Sequence, residues 1–290
     1  MRFSICTAST PDWTPAEAVA ELADAGFDGV EWRIVDDDPS PDGTPGFWAG
    51  NRCTWPFTGL LDQVGAIRRT TDAAGLAMNA LGTYVSCDRP EDVDVAMRAA
   101  VALGVERLRV NVPRYRPDES FPAVWERRRA EYAEVVRLAA RHGVRVLLEI
   151  HHMTPVLSPH AAAAFVAGLD PRHVGVIHDA GNMVYEGWAP YRLGLEVLGE
   201  YLAHVHLKNA RWVRAGMRPD GSADWRPEMS PLRDGVVDVP ALFAALRQVG
   251  YDGWVALEDF SAEQPLAARV RDNLAYAKAA AAAARAAAAP

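Results

Sequence analysis

The chain has 290 residues, of which half are apolar and 23% are charged, a composition typical of a globular protein with a substantial core. Acidic residues outnumber basic ones by 38 to 30 and give a net charge of −8, whereas nucleic-acid-binding proteins usually carry a basic excess. The cysteines Cys6, Cys53 and Cys87 lack the spacing of a metal motif or a disulfide framework. No signal-like apolar core opens the chain and no apolar run reaches about 18 residues. We therefore expect a cytoplasmic protein with no nucleic-acid or membrane partner.

Short β-type runs alternate with amphipathic helical segments along the chain. The first run, Phe3–Cys6, precedes a capping box from Thr14 to Glu17, which begins a helix that ends near Gly26. Seven further strands are predicted at Gly29–Ile34, Met78–Tyr84, Arg107–Val112, Val144–Ile150, Val174–Ile177, Leu202–Leu207 and Trp254–Leu257. Three- and four-residue apolar spacing predicts helices between them, among which are Glu91–Leu103, Ala123–Arg141 and Val239–Gln248.

Eight such units, spaced by roughly 30–35 residues, indicate parallel strands joined by helices. A doubly wound sheet rarely needs eight units in series, whereas the eightfold barrel closes on that number. We therefore predict an α/β fold consisting of a single (β/α)8 TIM barrel over residues 1–290, with an Ala-rich helix or tail from about residue 275 to 290. Two long connections, Val35–Thr58 and Trp212–Val237, are expected to be irregular loops that cover the pocket.

The active site of such a barrel lies at the carboxyl ends of its strands. The early strands offer little there beyond Glu31 and Asn111. The last four strands bring ionisable groups to this rim, namely Glu149, Asp179, His204 or His206, and Glu258. Three carboxylates around one imidazole repel one another unless a cation lies between them. An oxygen-rich set with one imidazole suits Mn²⁺, Mg²⁺ or a similar divalent ion.

Each of these groups also has a purely structural interpretation. A lone strand-ending Glu is commonly solvated, and either histidine could be a hydrogen-bonded interior residue on the same strand face. Asp179 could cap the next helix in an Asx turn. The joint site is favoured because all four groups stand where buried apolar strands emerge, and such runs do not tolerate an unpartnered carboxylate.

A strand-ending Glu, an Asp with Asn three residues later, a His-x-His strand and a final strand Glu together resemble the xylose isomerase-like TIM-barrel superfamily, specifically its sugar phosphate isomerase/epimerase branch. The resemblance runs from Gly26–Glu31 to Gly250–Glu258. It implies that the two Glu ligands exchange protons with the substrate from opposite faces. It also implies a metal site, with Mn²⁺ expected and Mg²⁺, Co²⁺ or Zn²⁺ as alternatives, held by Glu149, Asp179, His206 and Glu258. His204, one pleat deeper, is then expected to pack or hydrogen-bond beneath the site.

The sequence departs from two branches of this superfamily. Where ketose epimerases of the family carry Glu, His and Arg to clamp the substrate, this chain has Pro155, Asn182 and Trp212. Free-ketose epimerisation with that clamp is therefore not expected. The endonuclease branch needs additional His ligands on early strands, and neither Leu81–Tyr84 nor Val110–Pro113 contains one.

We therefore predict a divalent-metal-dependent isomerase or epimerase that acts on a sugar or related polyol by proton abstraction next to a carbonyl, through an enediolate, with Glu149 and Glu258 as the acid/base pair. Two alternatives stay open. The same intermediate serves a dehydratase or lyase, by inosose-type dehydration or glycoside β-elimination, and a degenerate site would leave a non-catalytic sugar-binding barrel.

Residues beside the ligands are the expected substrate contacts, and they are His152, Asn182, Lys208 and Arg211. Lys208 could equally be a surface residue. Five tryptophans are expected to form an aromatic wall on the pocket, namely Trp48, Trp55, Trp188, Trp212 and Trp225. The sequence leaves a homo-oligomer open.

Overall fold

Eight parallel strands close into a barrel in the computed structural model, which describes residues 1–287. The strands of the chain are β1 (Arg2–Cys6), β2 (Gly29–Ile34), β3 (Thr54–Trp55), β4 (Ala77–Thr83), β5 (Arg107–Arg109), β6 (Arg145–Glu149), β7 (Val174–Asp179), β8 (Leu202–Leu207), β9 (Asn209–Met217), β10 (Ala223–Ser230) and β11 (Trp254–Leu257). Hydrogen-bonded neighbours follow the order β1-β11-β8-β7-β6-β5-β4-β2, and pairing of β1 with β2 closes the ring. The predicted TIM barrel is confirmed.

Helices connect the barrel strands. They are α1 (Pro15–Ala25), α2 (Leu60–Ala73), α3 (Pro90–Leu103), α4 (Phe121–His142), α5 (Pro159–Val166), α6 (Ala180–Glu186), α7 (Tyr191–Leu198), α8 (Val239–Gln248) and α9 (Leu266–Ala286). The predicted capping box is present, since the Thr14 side chain accepts from the backbone N–H of Glu17 and the Glu17 carboxylate accepts from that of Thr14. Gly26 ends α1 with φ of 85°, a left-handed conformation that glycine adopts without strain.

Small apolar side chains fill the barrel beneath its carboxyl-end rim. Leu147 and Ile177 stand two residues before Glu149 and Asp179, so strand alternation places them on the same inward face. They form a small buried cluster with an alanine on each of two other strands, Ala80 and Ala203. These apolar side chains therefore lie deeper in the barrel than the carboxylates that end the same strands.

The two long connections differ from the expected irregular loops. Thr54–Trp55 in the first forms β3, which pairs in parallel with β2. Most of the second is regular, because β9 and β10 pair as an antiparallel ribbon that leaves the barrel directly after β8. The prediction of an irregular loop was wrong here because aromatic and β-branched residues such as Trp212 and Val213 are as common in strands as at exposed loop tips.

The Asn209 side chain closes the base of this ribbon. Its Oδ1 accepts hydrogen bonds from the backbone N–H of Ala210 and of Val237, at 2.9 and 2.8 Å. Its Nδ2 donates to the backbone carbonyls of Leu232 and Val237, at 2.9 and 3.1 Å. One buried amide thus joins the segment that enters the ribbon to the segment that leaves it.

The Ala-rich end is helical as far as it is described. Helix α9 continues through Ala286 and packs against α8 and α1; positions 288–290 lie outside the described residues. Over residues 1–287, no helix has both the length and the apolar character needed to cross a membrane. All three cysteines are buried free thiols.

Candidate active site

Four side chains from adjacent strand ends converge in a single buried cluster. Glu149 and Asp179 are the last residues of β6 and β7, His206 lies in β8, and Glu258 directly follows β11. One donor atom from each side chain lies within 4.8 Å of all the others, and all four residues are buried. The Nδ1 atom of His206 lies 3.2 Å from Glu149 Oε1, 3.5 Å from Glu258 Oε2 and 3.7 Å from Asp179 Oδ2. The structure therefore brings together the four residues that the sequence proposed as ligands.

Beneath the cluster, a fourth carboxylate contacts both histidines of β8. His204 Nε2 lies 2.8 Å from Glu31 Oε2, and His206 Nε2 lies 3.3 Å from each carboxylate oxygen of Glu31. All three residues are fully buried. His204 thus hydrogen-bonds beneath the site, as expected from its position one pleat below His206.

The Lys208 side chain enters the same cluster and is not a surface residue. It lies two residues after His206 and so points to the same face. Its Nζ lies 2.7 Å from Asp179 Oδ2, 2.8 Å from Glu258 Oε2 and 3.9 Å from Glu149 Oε1. Gly181 provides the room, because a Cβ at that position would stand 2.3 Å from Lys208 Cγ.

A second cation contacts the cluster from β5. Arg109 Nη1 lies 2.8 Å from Glu149 Oε2, and both side chains are almost wholly buried. The guanidinium also lies 4.5 Å from the centre of the Tyr84 ring, a distance at which it interacts favourably with the ring's π face. Arg109 therefore fixes one oxygen of Glu149, while the other faces His206.

The charges of the cluster stabilise one another despite burial. Burial raises the pKa of Glu149, but Arg109, His206 and Lys208 outweigh it and hold that pKa well below its usual range. The pKa of Glu258 is lowered in the same way by His206 and Lys208. Burial dominates at Asp179 and raises its pKa. Burial lowers the pKa of His206, yet Glu258 and Glu31 raise it well above its usual value.

The donor set fits a divalent cation. Three carboxylates and one imidazole match the ligands preferred by Mn²⁺, Mg²⁺ and Zn²⁺ in sites of mixed oxygen and nitrogen character. Asp179 Oδ2 is buried and receives no hydrogen bond of good geometry from residues 1–287, although Lys208 Nζ is close. Lys208 supplies a neighbouring positive charge, and a divalent cation would add the direct partner that this oxygen lacks.

Glu149, Glu258 and Lys208 of the cluster line a cavity of about 580 Å³. Of the five tryptophans expected as an aromatic wall, only Trp48 lines it. The other aromatic lining residues are Tyr84, His151, His152, Tyr185 and Phe260. Trp55 instead packs edge-on against Trp32 in the core, and Trp188, Trp212 and Trp225 are exposed away from the cavity. Trp48 and Met229 come from the two long connections, so both connections reach the pocket as expected.

His152 and Asn182, two of the predicted substrate contacts, line the cavity and contact each other. His152 Nδ1 lies 3.1 Å from Asn182 Oδ1, and its ring stacks on Tyr185 at 4.3 Å. Asn182 Nδ2 donates to Glu149 Oε1 at 3.3 Å. The Asn182 backbone N–H also donates to Asp179 Oδ1, which is the Asx cap foreseen as a structural alternative. Asp179 therefore caps α6 with one oxygen and faces the cluster with the other.

Arg211 lies outside the cavity lining. Its guanidinium pairs with three carboxylates around the base of the ribbon, at 2.8 Å from Glu228, 2.5 Å from Asp234 and 3.2 Å from Glu263. The structure therefore does not place it with the other predicted substrate contacts.

Sequence reasoning missed Arg109 and gave Glu31 no role. A signal existed for both, since each is a charged residue in a predicted barrel strand, and alternation places Glu31 on the same face as Arg33. The partner across the barrel could not be found this way, because Glu31 and His204 are 173 positions apart.

The closed barrel and its rim define a TIM-barrel protein with a buried centre of three carboxylates and one imidazole. Residues 19–281 match the family model described as xylose isomerase-like TIM barrel, and the chain belongs to that family. Inosose dehydratase of Bacillus licheniformis is 26% identical over 182 residues, which cover 59% of this chain and 59% of the relative. The matched part thus spans less than two thirds of the relative's length.

Solved structures share the fold at low sequence identity. The 3-keto-D-glucoside 4-epimerase of E. coli has a TM-score of 0.69 at 19% identity, covering 96% of this chain and 99% of that one. A xylose isomerase-like TIM barrel protein of Mycobacterium smegmatis in complex with magnesium has a TM-score of 0.68 at 16% identity, covering 98% of this chain and 97% of that one. Both proteins thus share the barrel fold of this chain.

Proposed function

We propose that the chain is a divalent-metal-dependent enzyme that removes a proton next to the carbonyl of a sugar or related polyol. The observation that carries this proposal is the buried cluster of Glu149, Asp179, His206 and Glu258, of which Glu149 and Glu258 line the cavity. A bound ion, for which Mn²⁺ is our expectation and Mg²⁺, Co²⁺ or Zn²⁺ are alternatives, supplies Lewis-acid polarisation of the substrate carbonyl.

Glu149 and Glu258 are the proposed proton-transfer groups. They belong to β6 and to the end of β11, which are separated in the barrel by β7 and β8, so they approach the cavity from two sides. Both carboxylates are held ionised, which is the state needed to accept a proton. Protonation of the enediolate from the far side gives an epimer, and protonation at the neighbouring carbon gives an isomer.

The cavity lining accounts for binding and orientation of a polyol. The faces of Trp48, Tyr185 and Phe260 offer apolar contact to the C–H surface of a sugar ring. His152 and Asn111 supply polar groups at the same wall. We propose His152, Asn182 and Lys208 as substrate contacts.

Dehydration is the second candidate, favoured by the position of Lys208. Its ammonium, 2.8 Å from Glu258 Oε2, stands where it could donate a proton to a departing β-hydroxyl while Glu258 takes the proton from carbon. Burial lowers the pKa of Lys208, but Asp179, Glu258 and Glu149 raise it well above its usual value, so the group is protonated. The matched dehydratase of Bacillus licheniformis points the same way.

One experiment tests the proposal and separates its two forms. The Mn²⁺-loaded protein is incubated in D₂O with keto-cyclitols of the inosose type, keto-sugars and ketoses, and each mixture is followed by NMR and mass spectrometry. Deuterium entry next to the carbonyl with unchanged composition indicates epimerisation or isomerisation, whereas loss of one water molecule indicates dehydration. Absence of both from every mixture, with the ion bound, would refute proton abstraction.

Two Gln variants test the role of Glu258, one at that residue and one at a control position. Glu258→Gln keeps an oxygen donor and the side-chain shape but loses the base, so exchange should fall by about 10²–10⁴-fold while the ion is retained. Glu263→Gln makes the same chemical change at an exposed carboxylate nearby and should exchange at the wild-type rate.

A further inference from the structure

Glu31 is a buried carboxylate that the proposed reaction does not use. It lies inside β2, which is separated from β8 by β1 and β11 around the ring, and is fully buried. Its two oxygens contact only imidazole nitrogens among the hydrogen bonds of the described chain: His204 Nε2 at 2.8 Å and His206 Nε2 at 3.3 Å. Burying a carboxylate costs free energy because the charge loses its water, so the presence of Glu31 at this position needs a physical explanation.

The two nitrogens of His206 face different partners. Nδ1 faces Glu149, Asp179 and Glu258, whereas Nε2 faces Glu31. An imidazole that binds a cation through one nitrogen must carry its hydrogen on the other. A carboxylate that accepts this hydrogen fixes both the tautomer and the ring orientation.

Glu31 is itself held in place. His204 contacts Oε2 from the adjacent pleat, and its ring meets that of His206 edge-on at 5.1 Å. Gly82 on the neighbouring strand leaves room for the carboxylate, since a Cβ there would lie 3.3 Å from Glu31 Oε1.

We propose that Glu31 is a positioning residue for the candidate metal centre: it accepts the Nε2 hydrogen of His206 and so directs the Nδ1 lone pair toward Glu149, Asp179 and Glu258, while His204 fixes Glu31 from below. The inference rests on the metal site of the proposed function. It adds a residue that touches neither ion nor substrate and sets how tightly the ion is held.

Zn²⁺ affinity tests the proposal without any substrate. Dissociation constants are measured by chelator competition for wild type and for Glu31→Gln, which keeps the size of the side chain but loses its charge. Loss of such a carboxylate typically weakens metal binding by about 10–100-fold, and that is the expected result. Asp28→Asn, the same chemical change at an exposed helix-to-strand turn on the other end of the barrel, should bind Zn²⁺ as wild type does.

Chemical unfolding of the metal-free and Zn²⁺-loaded forms distinguishes positioning from a general structural role. If Glu31 positions His206, Glu31→Gln should destabilise the loaded form more than the metal-free form, by the amount that the affinity ratio requires. Equal destabilisation of both forms with an unchanged dissociation constant would overturn the proposal. A wild type that binds no divalent ion would overturn the metal site too, and with it the proposed function.

A spectroscopic reading and a second variant complete the test. In the Zn²⁺-loaded protein, the Nε2 proton of His206 should appear far downfield because a carboxylate accepts it, and it should move upfield in Glu31→Gln. If Glu31→Gln does not fold, His204→Gln replaces it, because Glu31 then loses only its lower contact. A smaller affinity loss in the same direction supports the proposal, and wild-type affinity refutes it.

Discussion

Replacing Gly181 by Ala tests whether the position of Lys208 depends on the absence of one side chain. Gly181 lies in the first turn of α6, where Ala would ordinarily stabilise a helix by about 0.5–1 kcal/mol. A Cβ at this position, however, would stand 2.3 Å from Lys208 Cγ and 3.0 Å from the Lys208 carbonyl oxygen. Cγ would have to move by about 1 Å to restore ordinary contact, and forcing an extra methyl into a packed site costs about 1–3 kcal/mol.

Movement of Lys208 also separates its ammonium from Asp179 and Glu258. Breaking a buried charge pair costs about 3–5 kcal/mol, and partial separation costs a fraction of this. We therefore expect Gly181→Ala to lower the free energy of unfolding of the metal-free protein by about 3 kcal/mol. In a Lys208→Ala background, which lacks Cγ, the same change should cost less than about 1 kcal/mol, giving a coupling of about 2 kcal/mol.

Urea unfolding of the four proteins of this cycle, with chelator present, measures the coupling. Gly65→Ala is the matched control, because Gly65 is an exposed residue of α2 whose added Cβ meets only a flexible arginine terminus at 3.3 Å. It should be stabilised by about 0.5–1 kcal/mol. Additive effects of Gly181→Ala and Lys208→Ala, or stabilisation by Gly181→Ala in the wild-type background, would refute the reasoning.

Three further predictions concern the site and the thiols. His206→Ala should lose most of its divalent ion on dialysis with an unchanged circular dichroism spectrum, and metal analysis showing full occupancy would rule it out as a ligand. Burial, with His151 and Lys208 nearby, lowers the pKa of His152 to about 4, so the ring is neutral above about pH 5. The substrate affinities of wild type and His152→Gln should therefore follow the same pH profile between about pH 5 and 8. A step near pH 6.5 in the wild-type profile would contradict this. Burial raises the pKa of Cys53 to about 12, and the pKa values of Cys6 and Cys87 are raised as well. Ellman's reagent at about pH 8 should therefore label no thiol until denaturant is added, and labelling of the folded protein would show that the thiols are accessible.

Strand ends were the part of the site most readily predicted from sequence. Glu149, Asp179 and Glu258 each terminate an apolar run, and parallel strands of a barrel deliver their ends to one rim. Local order along the chain therefore sufficed to bring these carboxylates together. His206 required the family resemblance, since alternation alone places His204 on the same face.

Contacts made across the barrel could not be predicted in this way. Alternation shows that Glu31 points inward, but which strand faces it depends on how the ring closes and on the stagger of its strands. The pairing of Arg109 with Glu149 joins the adjacent strands β5 and β6 and depends on the register between them, which local sequence patterns do not give. Arg211 shows the opposite error, since proximity in sequence to His206 suggested the cavity whereas the β9 strand carries it onto the ribbon.

Aromatic composition was a poor guide to the cavity wall. Tryptophans in Gly- and Pro-rich segments suggested stacking surfaces, yet Trp55 is partly buried against the core and Trp225 is an exposed residue of β10. The rings that line the pocket include Tyr185, three residues after Asn182, and Phe260, two residues after Glu258, both close to strand ends. Position relative to a strand end is thus more informative than the kind of aromatic residue.

The hydrogen bonds of Asn209 at the base of the ribbon bear on which sequence changes the ribbon can accept. Because one amide joins the chain at Ala210 to the chain at Leu232 and Val237, the ribbon between them begins and ends at a fixed point. Insertions or deletions toward the tip of the ribbon, beyond the part of β9 that packs on α6, would leave the end of β8, and with it His206 and Lys208, where they are. The ribbon can therefore vary in sequence, and with it the part of the pocket wall that Met229 forms, while the residues of the cluster keep their positions.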